Sequence, residues 1–355
     1  MIYIYNVISI SLVAVLSKLF GKKADKILFL FSVIQMTLIS GLRYETGRDF
    51  LSYKRIYEII GYEVTIGNFL DKMYYIEPGY VLINKLCYLL NIGFVGLNLI
   101  VAFMTFYFAL KAFLKLSGHM FLSIYLYISF FFFCQSMNQT RQILAISLVL
   151  YAISELIEER KKQFWIFMLI ATLIHTSIVC LVPVYWLKNI KLGKRVIGLY
   201  FSVPIIIVLG YEVFLKIISM TKYATYFNSQ YDVQGANSTV INLLVRLVML
   251  LGCMLVHKKV EESKEKNTYY HMIWLCTICQ VLAVYSSLWG RITTNYFIAY
   301  FILIPKVVDG IRDRKFRAVG YFACILVATL YHIVYFTYMA EPAGVVEYKS
   351  ILSQI

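Results

Sequence analysis

The sequence has few charged residues, and among those it has, acids are scarce. Of its 355 residues 15% are charged, and 19 Asp and Glu stand against 34 Lys and Arg, for a formal net charge of +15. Hydrophobic residues make up 61% of the chain, whereas soluble domains average roughly 45–50%. This shortage of polar residues leaves no room for a separate soluble domain and predicts a single integral membrane domain over residues 1–355.

Sequence signals for nucleic acid, metal and secretion are missing as well. There is no zinc-ligand spacing and no basic stripe with interleaved aromatic residues, so we attribute the positive charge to the positive-inside rule and to anionic lipid headgroups. Cys276-Thr-Ile-Cys279 lies in an apolar segment without a second pair, and we interpret it as core packing. Residues 1–19 lack a basic start and a cleavage site, and we expect a retained first helix.

Apolar segments of about 20 residues, the length that crosses a bilayer, recur along the chain. They predict an all-α, polytopic transmembrane helical bundle with about ten spanning helices plus re-entrant or interfacial helices. The predicted spans are residues 2–20, 27–42, 95–115, 119–136, 140–157, 196–217, 239–256, 270–288, 292–308 and 318–338.

Lys and Arg clusters predict the orientation, since they favour the cytoplasmic side. Two clusters that need this side flank residues 163–187, so we predict a re-entrant hairpin there with its turn near His175. Residues 78–92 are short for a span and are predicted to be interfacial or re-entrant. Residues 43–77 then form a polar extracytoplasmic loop. The clusters lie at residues 18–26, 160–162, 188–195, 258–266 and 312–317.

The first candidate site block begins this loop. Gly47 allows the backbone to turn sharply before Asp49, and Arg presents a planar fork suited to carboxylate or phosphate. The alternative is a mutually neutralised Arg–Asp turn at a helix end. The candidate residues of this block are Arg43, Tyr44, Arg48, Asp49 and Tyr53.

The second and third blocks each mark the start of a predicted helix. Glu77 precedes Pro and Gly, which places its carboxylate near the positive end of a helix, either as a cap or as a functional acid. Arg141 opens a largely apolar helix, where it either reaches the interface or points inward to bind an anion. Its neighbours Asn138 and Gln142 favour the second interpretation.

Three further ionisable residues lie within or beside apolar segments. His175 lies deep within residues 163–187, where an ionisable group is by default a functional candidate; a backbone-bonded structural His is the alternative. Arg246 is midway along a predicted span and needs a carboxylate, a phosphate or water. Arg291 begins another span. Several Arg in a partly dry cleft suit phosphate or pyrophosphate, and Tyr faces suit sugar rings, so the predicted ligand is a lipid-linked pyrophosphate saccharide.

In order and spacing, these blocks resemble the EpsG family of Wzy-like exopolysaccharide and O-antigen polymerases. The matching blocks are Arg43 to Tyr53, Glu77 to Tyr80, Asn138 to Ala145 and His175 to Ser177, with a late Arg that fits Arg291. The resemblance covers nearly the whole chain.

The resemblance implies a glycosyltransferase in the bacterial cytoplasmic membrane that joins oligosaccharide repeat units carried on undecaprenyl pyrophosphate. One lipid-linked chain is the donor and another is the acceptor, with no metal, cofactor or nucleic acid expected. Flippase and chain-length regulator proteins are possible partners. We expect Arg43, Arg141 and Arg291 to hold the departing pyrophosphate, and Asp49, or else Glu77 or His175, to accept the proton.

Two other classes of function stay open at this point. A flippase or transporter of the same lipid-linked oligosaccharide would also use an Arg-lined cavity, although it needs access from both faces. A membrane O-acyltransferase acting on polysaccharide would use His175 as its base but gives the Arg residues no clear role. The absence of an internal repeat argues against an inverted-repeat transporter.

Overall fold

The structure, a computed structural model, describes residues 2–65, 68, 76–220, 237–257 and 263–353. Within these ranges the chain is helical and contains no strand beyond one isolated antiparallel bridge between Arg43 and Ser350. The all-α prediction is therefore confirmed. The chain forms two compact units, one of Met1–Val179 with Ile311–Ile355 and one of Cys180–Gly310.

Seventeen α-helices are found in the described residues. They are α1 (Ile2–Ser17), α2 (Ala24–Gly41), α3 (Phe50–Glu63), α4 (Pro78–Leu89), α5 (Gly93–Leu116), α6 (Met120–Ser129), α7 (Phe132–Asn138), α8 (Thr140–Ile157), α9 (Lys161–Ile174), α10 (Val184–Leu187), α11 (Lys194–Leu209), α12 (Tyr211–Ser219), α13 (Asn237–Val256), α14 (Lys264–Leu282), α15 (Ser287–Phe297), α16 (Tyr300–Asp309) and α17 (Arg314–Met339).

Helix α8 forms the centre of the first unit. It packs between α5 and α9, and 83% of its residues are buried. Helix α5 also packs against α2, which forms a hairpin with α1. The hairpin is pinned by the Gln35 amide, which donates to Asn6 Oδ1 at 2.6 Å. Such polar contacts join helices where apolar surface gives no driving force between them.

Five helical stretches are long and apolar enough to cross a membrane, and a sixth arises if the bent pair α6 and α7 counts as one span. The stretches are Ile2–Gly41, Gly93–Leu116, Thr140–Ile157, Thr239–Val256 and Arg314–Tyr338. The protein is thus a polytopic membrane bundle, and the number of about ten crossings stays a prediction.

Several predicted spans are broken in the structure. Residues 119–136 were expected to form one helix, but α6 and α7 meet at 53° because Phe131 adopts a left-handed backbone (φ 70°). The predicted spans 196–217 and 292–308 are each divided into two helices, at Gly210 and after Phe297. Length and overall hydrophobicity identify an apolar run as a span but do not show where the helix is interrupted within it.

The predicted polar loop 43–77 contains the helix α3, and residues 66–67 and 69–75 of it lie outside the described residues. Residues 78–92 contain α4, which is too short to span. In the predicted hairpin 163–187, α9 ends where His175 becomes extended (φ −154°), and a 3₁₀ helix (Thr176–Leu181) and α10 follow. The helix break is at the predicted place, and the re-entrant path stays a prediction.

In the second unit, α14 is the most buried helix and packs against α11, α13 and α15. Its His271 is satisfied on both ring nitrogens, by the Tyr200 hydroxyl at 2.5 Å and by the Ile190 carbonyl at 2.7 Å. This pattern is typical of a structural histidine in a core.

Candidate functional site

The second and fourth sequence blocks meet because Gly79 has no side chain. A Cβ at Gly79 would lie 2.8 Å from the Leu173 carbonyl oxygen, in the last turn of α9. The start of α4 therefore lies directly against the end of α9. Pro78 occupies the first turn of α4, where its missing N–H costs nothing, and the Glu77 carbonyl accepts from the Tyr80 and Val81 N–H groups at 3.1 Å. The Glu77 side chain takes no part in capping α4.

The Glu77 carboxylate instead joins three sequence blocks. Its Oε2 forms an ion pair with Nη1 of Arg141. Its Oε1 lies 3.1 Å from His175 Nδ1 and accepts from Thr176 Oγ1 at 3.2 Å and from the Thr176 backbone N–H at 3.3 Å. The side chain is 15% exposed, so these contacts are largely shielded from water.

The partners of Glu77 determine its charge. Burial acts to raise the pKa of Glu77, but the hydrogen bond from His175 and the charge of Arg141 outweigh it and lower the pKa to about 2. Glu77 is therefore ionised at neutral pH and is a poor proton acceptor. An ionised carboxylate beside Nδ1 requires the proton of a neutral His175 to lie on Nδ1, which leaves Nε2 as the basic nitrogen.

Arg141, in the first turn of α8, collects partners from three other segments. Besides the ion pair with Glu77, it is hydrogen-bonded to the Tyr53 hydroxyl from α3 and lies 5.8 Å from the ring centre of Tyr80 in α4. The two tyrosine rings pack edge to face at 5.9 Å. Arg141 is 23% exposed, and its buried Nε has no partner. The Arg141 guanidinium is therefore held in place, while part of it remains accessible to solvent.

Arg43 lies beside the same end of α8 but is 2% exposed. It donates to the Ser40 carbonyl at 2.5 Å and to Thr140 Oγ1 at 3.5 Å, and its Nε has no partner. Among the described residues no carboxylate lies within ion-pair distance of it. Burial lowers the pKa of Arg43 to about 10, which still leaves a cation at neutral pH. A charge without a counter-ion next to a helix N-terminus makes this region attractive to anions.

The loop that carries Asp49 is anchored to the end of α7. Gly47 is in the left-handed region (φ 95°), and a Cβ there would lie 2.6 Å from the Met137 carbonyl oxygen. The Asp49 backbone N–H donates to Asn138 Oδ1 at 3.4 Å, so Asn138 contacts backbone in this loop. Asp49 precedes α3 and is half-buried.

The structure thus brings together four predicted site residues in one network: Tyr53, Glu77, Arg141 and His175. Two others, Arg246 and Arg291, belong to the second unit. The remaining candidates differ in their exposure to solvent: Gln142 is buried, Tyr44 is half-buried against the Phe50 ring, and Arg48 is exposed.

Tyr80 and Thr176 were absent from the predicted site residues although both contact the network. Tyr80 is in the first turn of the helix that Glu77 precedes, and Thr176 directly follows His175. Their place inside two of the recognised blocks was a signal that could have identified them.

Comparison with known families decides the identity of the chain. The profile of the EpsG family matches residues 2–350, essentially the whole sequence. The chain belongs to the EpsG family. No curated protein and no solved structure matches it. As an EpsG protein it is a membrane protein of the Wzy-like polymerase and glycosyltransferase type.

In this EpsG protein, one shielded carboxylate connects a partly accessible Arg to an imidazole. Such a set can bind an anionic group through Arg141 and can accept a proton through His175. Among the described residues, no group of three or more His, Cys, Asp and Glu side chains is placed to hold a metal ion.

Proposed function

We propose that this protein polymerises oligosaccharide repeat units linked to undecaprenyl pyrophosphate, on the outer face of the bacterial cytoplasmic membrane, into capsular, exopolysaccharide or O-antigen polymer. The donor is one lipid-linked chain, and the acceptor is a hydroxyl of another. The observation that carries the proposal is the Glu77 carboxylate, which holds Arg141 and His175 in one network beside two tyrosines.

Arg141 binds the pyrophosphate of the donor and neutralises the charge that grows on it as the sugar leaves. A fixed guanidinium in a partly dry site stabilises such charge better than water does. Arg43 adds a positive potential from behind Thr140 without touching the ligand, because it is 2% exposed. Arg246 and Arg291, which belong to the second unit, have no assigned role in this proposal.

His175 is the base in this proposal, and Glu77 orients it. Nε2 takes the proton from the acceptor hydroxyl while the hydroxyl oxygen bonds to the anomeric carbon of the donor. The bond from that carbon to the pyrophosphate oxygen breaks, and undecaprenyl pyrophosphate leaves. A carboxylate that fixes the Nδ1–H tautomer of a catalytic His is a recurrent arrangement. Asp49, half-buried at the start of α3, is the alternative base.

The test is polymerisation by purified protein in liposomes that contain the lipid-linked repeat unit. We expect a ladder of products spaced by one repeat unit. Movement of the substrate between leaflets without a ladder would instead favour a flippase, and transfer of acyl groups an acyltransferase. Empty liposomes are the control.

Two variants assayed in the same liposomes identify the base. His175→Ala should lose about 10²–10⁴-fold in turnover, the usual contribution of a general base, while it still binds the lipid-linked donor. Asp49→Asn should keep most of its turnover. The opposite pair of results would transfer the role to Asp49.

A further inference from the structure

The chain beyond α17 returns to the loop that carries Asp49. Residues 343–351, which we name the C-terminal strap, run along residues 42–48, about 300 positions earlier in sequence. Arg43 and Ser350 form an antiparallel bridge, the Tyr44 N–H donates to the Lys349 carbonyl at 2.8 Å, and the Ile351 N–H donates to the Leu42 carbonyl at 2.9 Å.

At the other end of the strap, its carbonyls hold the turn before Asp49. The Gly47 N–H donates to the Gly344 carbonyl at 2.8 Å, and the Arg48 N–H donates to the Ala343 carbonyl at 2.9 Å. The Ala343 carbonyl also accepts from the Asn138 side-chain amide at 2.7 Å. Asn138 therefore bonds the strap through Nδ2 and the Asp49 N–H through Oδ1.

Three further observations show that the strap fits closely. Gly344 has φ 65°, and a Cβ there would lie 3.0 Å from the Arg48 backbone nitrogen. Val345 is fully buried, and the Tyr348 hydroxyl donates to the Ile39 carbonyl at 2.8 Å. The segment is packed into the first unit and is tied to the backbone on both sides of Arg43.

We propose that the C-terminal strap, acting through the Arg43–Asp49 loop and Asn138, positions Arg141 for catalysis, with Asn138 and Gly344 as positioning residues. A loop of this kind has no regular structure of its own, so its backbone groups need partners from elsewhere. The strap supplies them, and Asn138 relays its position to α7 and α8, which carry Thr140 and Arg141. Asn138, predicted from sequence as a substrate contact, thus acts through the loop. This proposal rests on the proposed polymerase function.

The first test is Gly344→Ala in the full-length protein in liposomes, compared with Gly21→Ala. Both glycines have positive φ, but a Cβ at Gly21 meets nothing within 4 Å. Both variants place a side chain at positive φ, and only Gly344→Ala adds a close contact with the Arg48 backbone, from which the strap must shift. We expect Gly344→Ala to lose at least tenfold more turnover than Gly21→Ala, at equal amounts of folded protein. Equal losses would overturn the proposal.

The second test separates positioning from substrate contact. Asn138→Ala should lower kcat at least tenfold and leave the KM for the lipid-linked substrate within about twofold, because binding energy realised only at the transition state appears in kcat. A raised KM with unchanged kcat would make Asn138 a substrate contact and overturn the proposal. Combined with Gly344→Ala it should lose little more than either single change, since both act through Ala343.

A measurement that does not depend on activity tests the strap contact separately from the proposed polymerase function. Hydrogen exchange by mass spectrometry should be faster for residues 42–49 in Gly344→Ala than in Gly21→Ala, because the hydrogen bonds from Gly47 and Arg48 to the strap are weakened. If Gly344→Ala exchanges faster than Gly21→Ala while the wild-type protein makes no polymer, the polymerase function is rejected and the strap contact is kept. Unchanged exchange would reject the strap whatever the activity.

Discussion

Arg141 and Arg246 both lie in helices apolar enough to cross a membrane, yet their surroundings differ. Arg141, in the first turn of α8, binds Glu77, Tyr53 and the Tyr80 ring, all from other segments. Arg246, in the middle of α13, donates to the Asn242 carbonyl of its own helix at 2.9 Å and lies 4.9 Å from the Phe297 ring centre.

The position along the helix explains the difference. Arg246 lies beside carbonyls of its own helix one turn earlier, whereas Arg141, at the second position of α8, lies at the break between α7 and α8 and close to α3 and α4. Arg141 therefore takes partners from neighbouring segments and draws them into one network. The comparison indicates that an Arg at a helix start can join several segments into a site, and that an Arg in mid-helix can bond a carbonyl of its own helix.

The largest effect should come from Arg141→Ala. We expect polymer to disappear, with turnover lowered by about 10³-fold or more, because one fixed donor to a developing anion is worth about 10²–10³-fold and Glu77 also loses its counter-charge. Single repeat units should accumulate on the lipid. Arg141→Lys, which keeps the charge and loses the planar fork, is the matched control and should fall between wild type and Ala. Polymer of normal length from Arg141→Ala would remove Arg141 from the site.

The next largest effect should come from Glu77→Gln, which keeps the shape of the side chain and removes its charge. We expect about 10²-fold lower turnover, because the ion pair with Arg141 and the tautomer of His175 both depend on that charge. Glu58→Gln on the exposed face of α3 is the control and should behave as wild type. Full activity of Glu77→Gln would mean that neither Arg141 nor His175 depends on the charge of Glu77.

Glu77 also gives a pH signature. Its pKa is lowered from 4.5 to about 2 in the folded protein, so its stabilisation is complete above about pH 4.5 and is lost as pH falls toward 2. The shift corresponds to roughly 3 kcal/mol. Thermal unfolding in detergent between pH 6 and pH 3 should show a steeper loss of Tm in wild type than in Glu77→Gln. Parallel curves would show that Glu77 is not paired in the folded protein.

The blocks of the site were visible in the sequence, but the contacts among them were only partly predictable. Arg and His in apolar surroundings stand out because such positions are costly without partners. Glu77 was equally compatible with a simple cap, because the choice depends on what packs against α4, and only Gly79 and Leu173 decide it. The C-terminal strap could not be predicted, because most of its partners are backbone groups about 300 residues away, which leave no side-chain pattern.

A smaller effect should come from Gly79→Ala, which tests whether the network depends on the close approach of α4 to α9. The added Cβ would lie 2.8 Å from the Leu173 carbonyl oxygen, so α4 must move away from α9 and carry Glu77 with it. We expect about tenfold lower turnover, since small displacements of positioning groups are costly to catalysis. Gly198→Ala in α11 is the control, because nothing lies within 4 Å of its Cβ. Equal activity of the two variants would show that the contact tolerates movement.

The smallest effect should come from Arg246→Met, which tests the other half of the comparison. Arg246 is half-buried, and replacement of such a charge by an apolar side chain of similar length removes a desolvation cost, while Met keeps the packing against Phe297. We expect turnover within about threefold of wild type and an unchanged or higher Tm. Arg141→Met is the matched variant in the first unit and should lose about 10³-fold. If Arg246→Met falls as far as Arg141→Met, mid-helix position does not make an Arg inert, and Arg246 binds substrate as its sequence position first indicated.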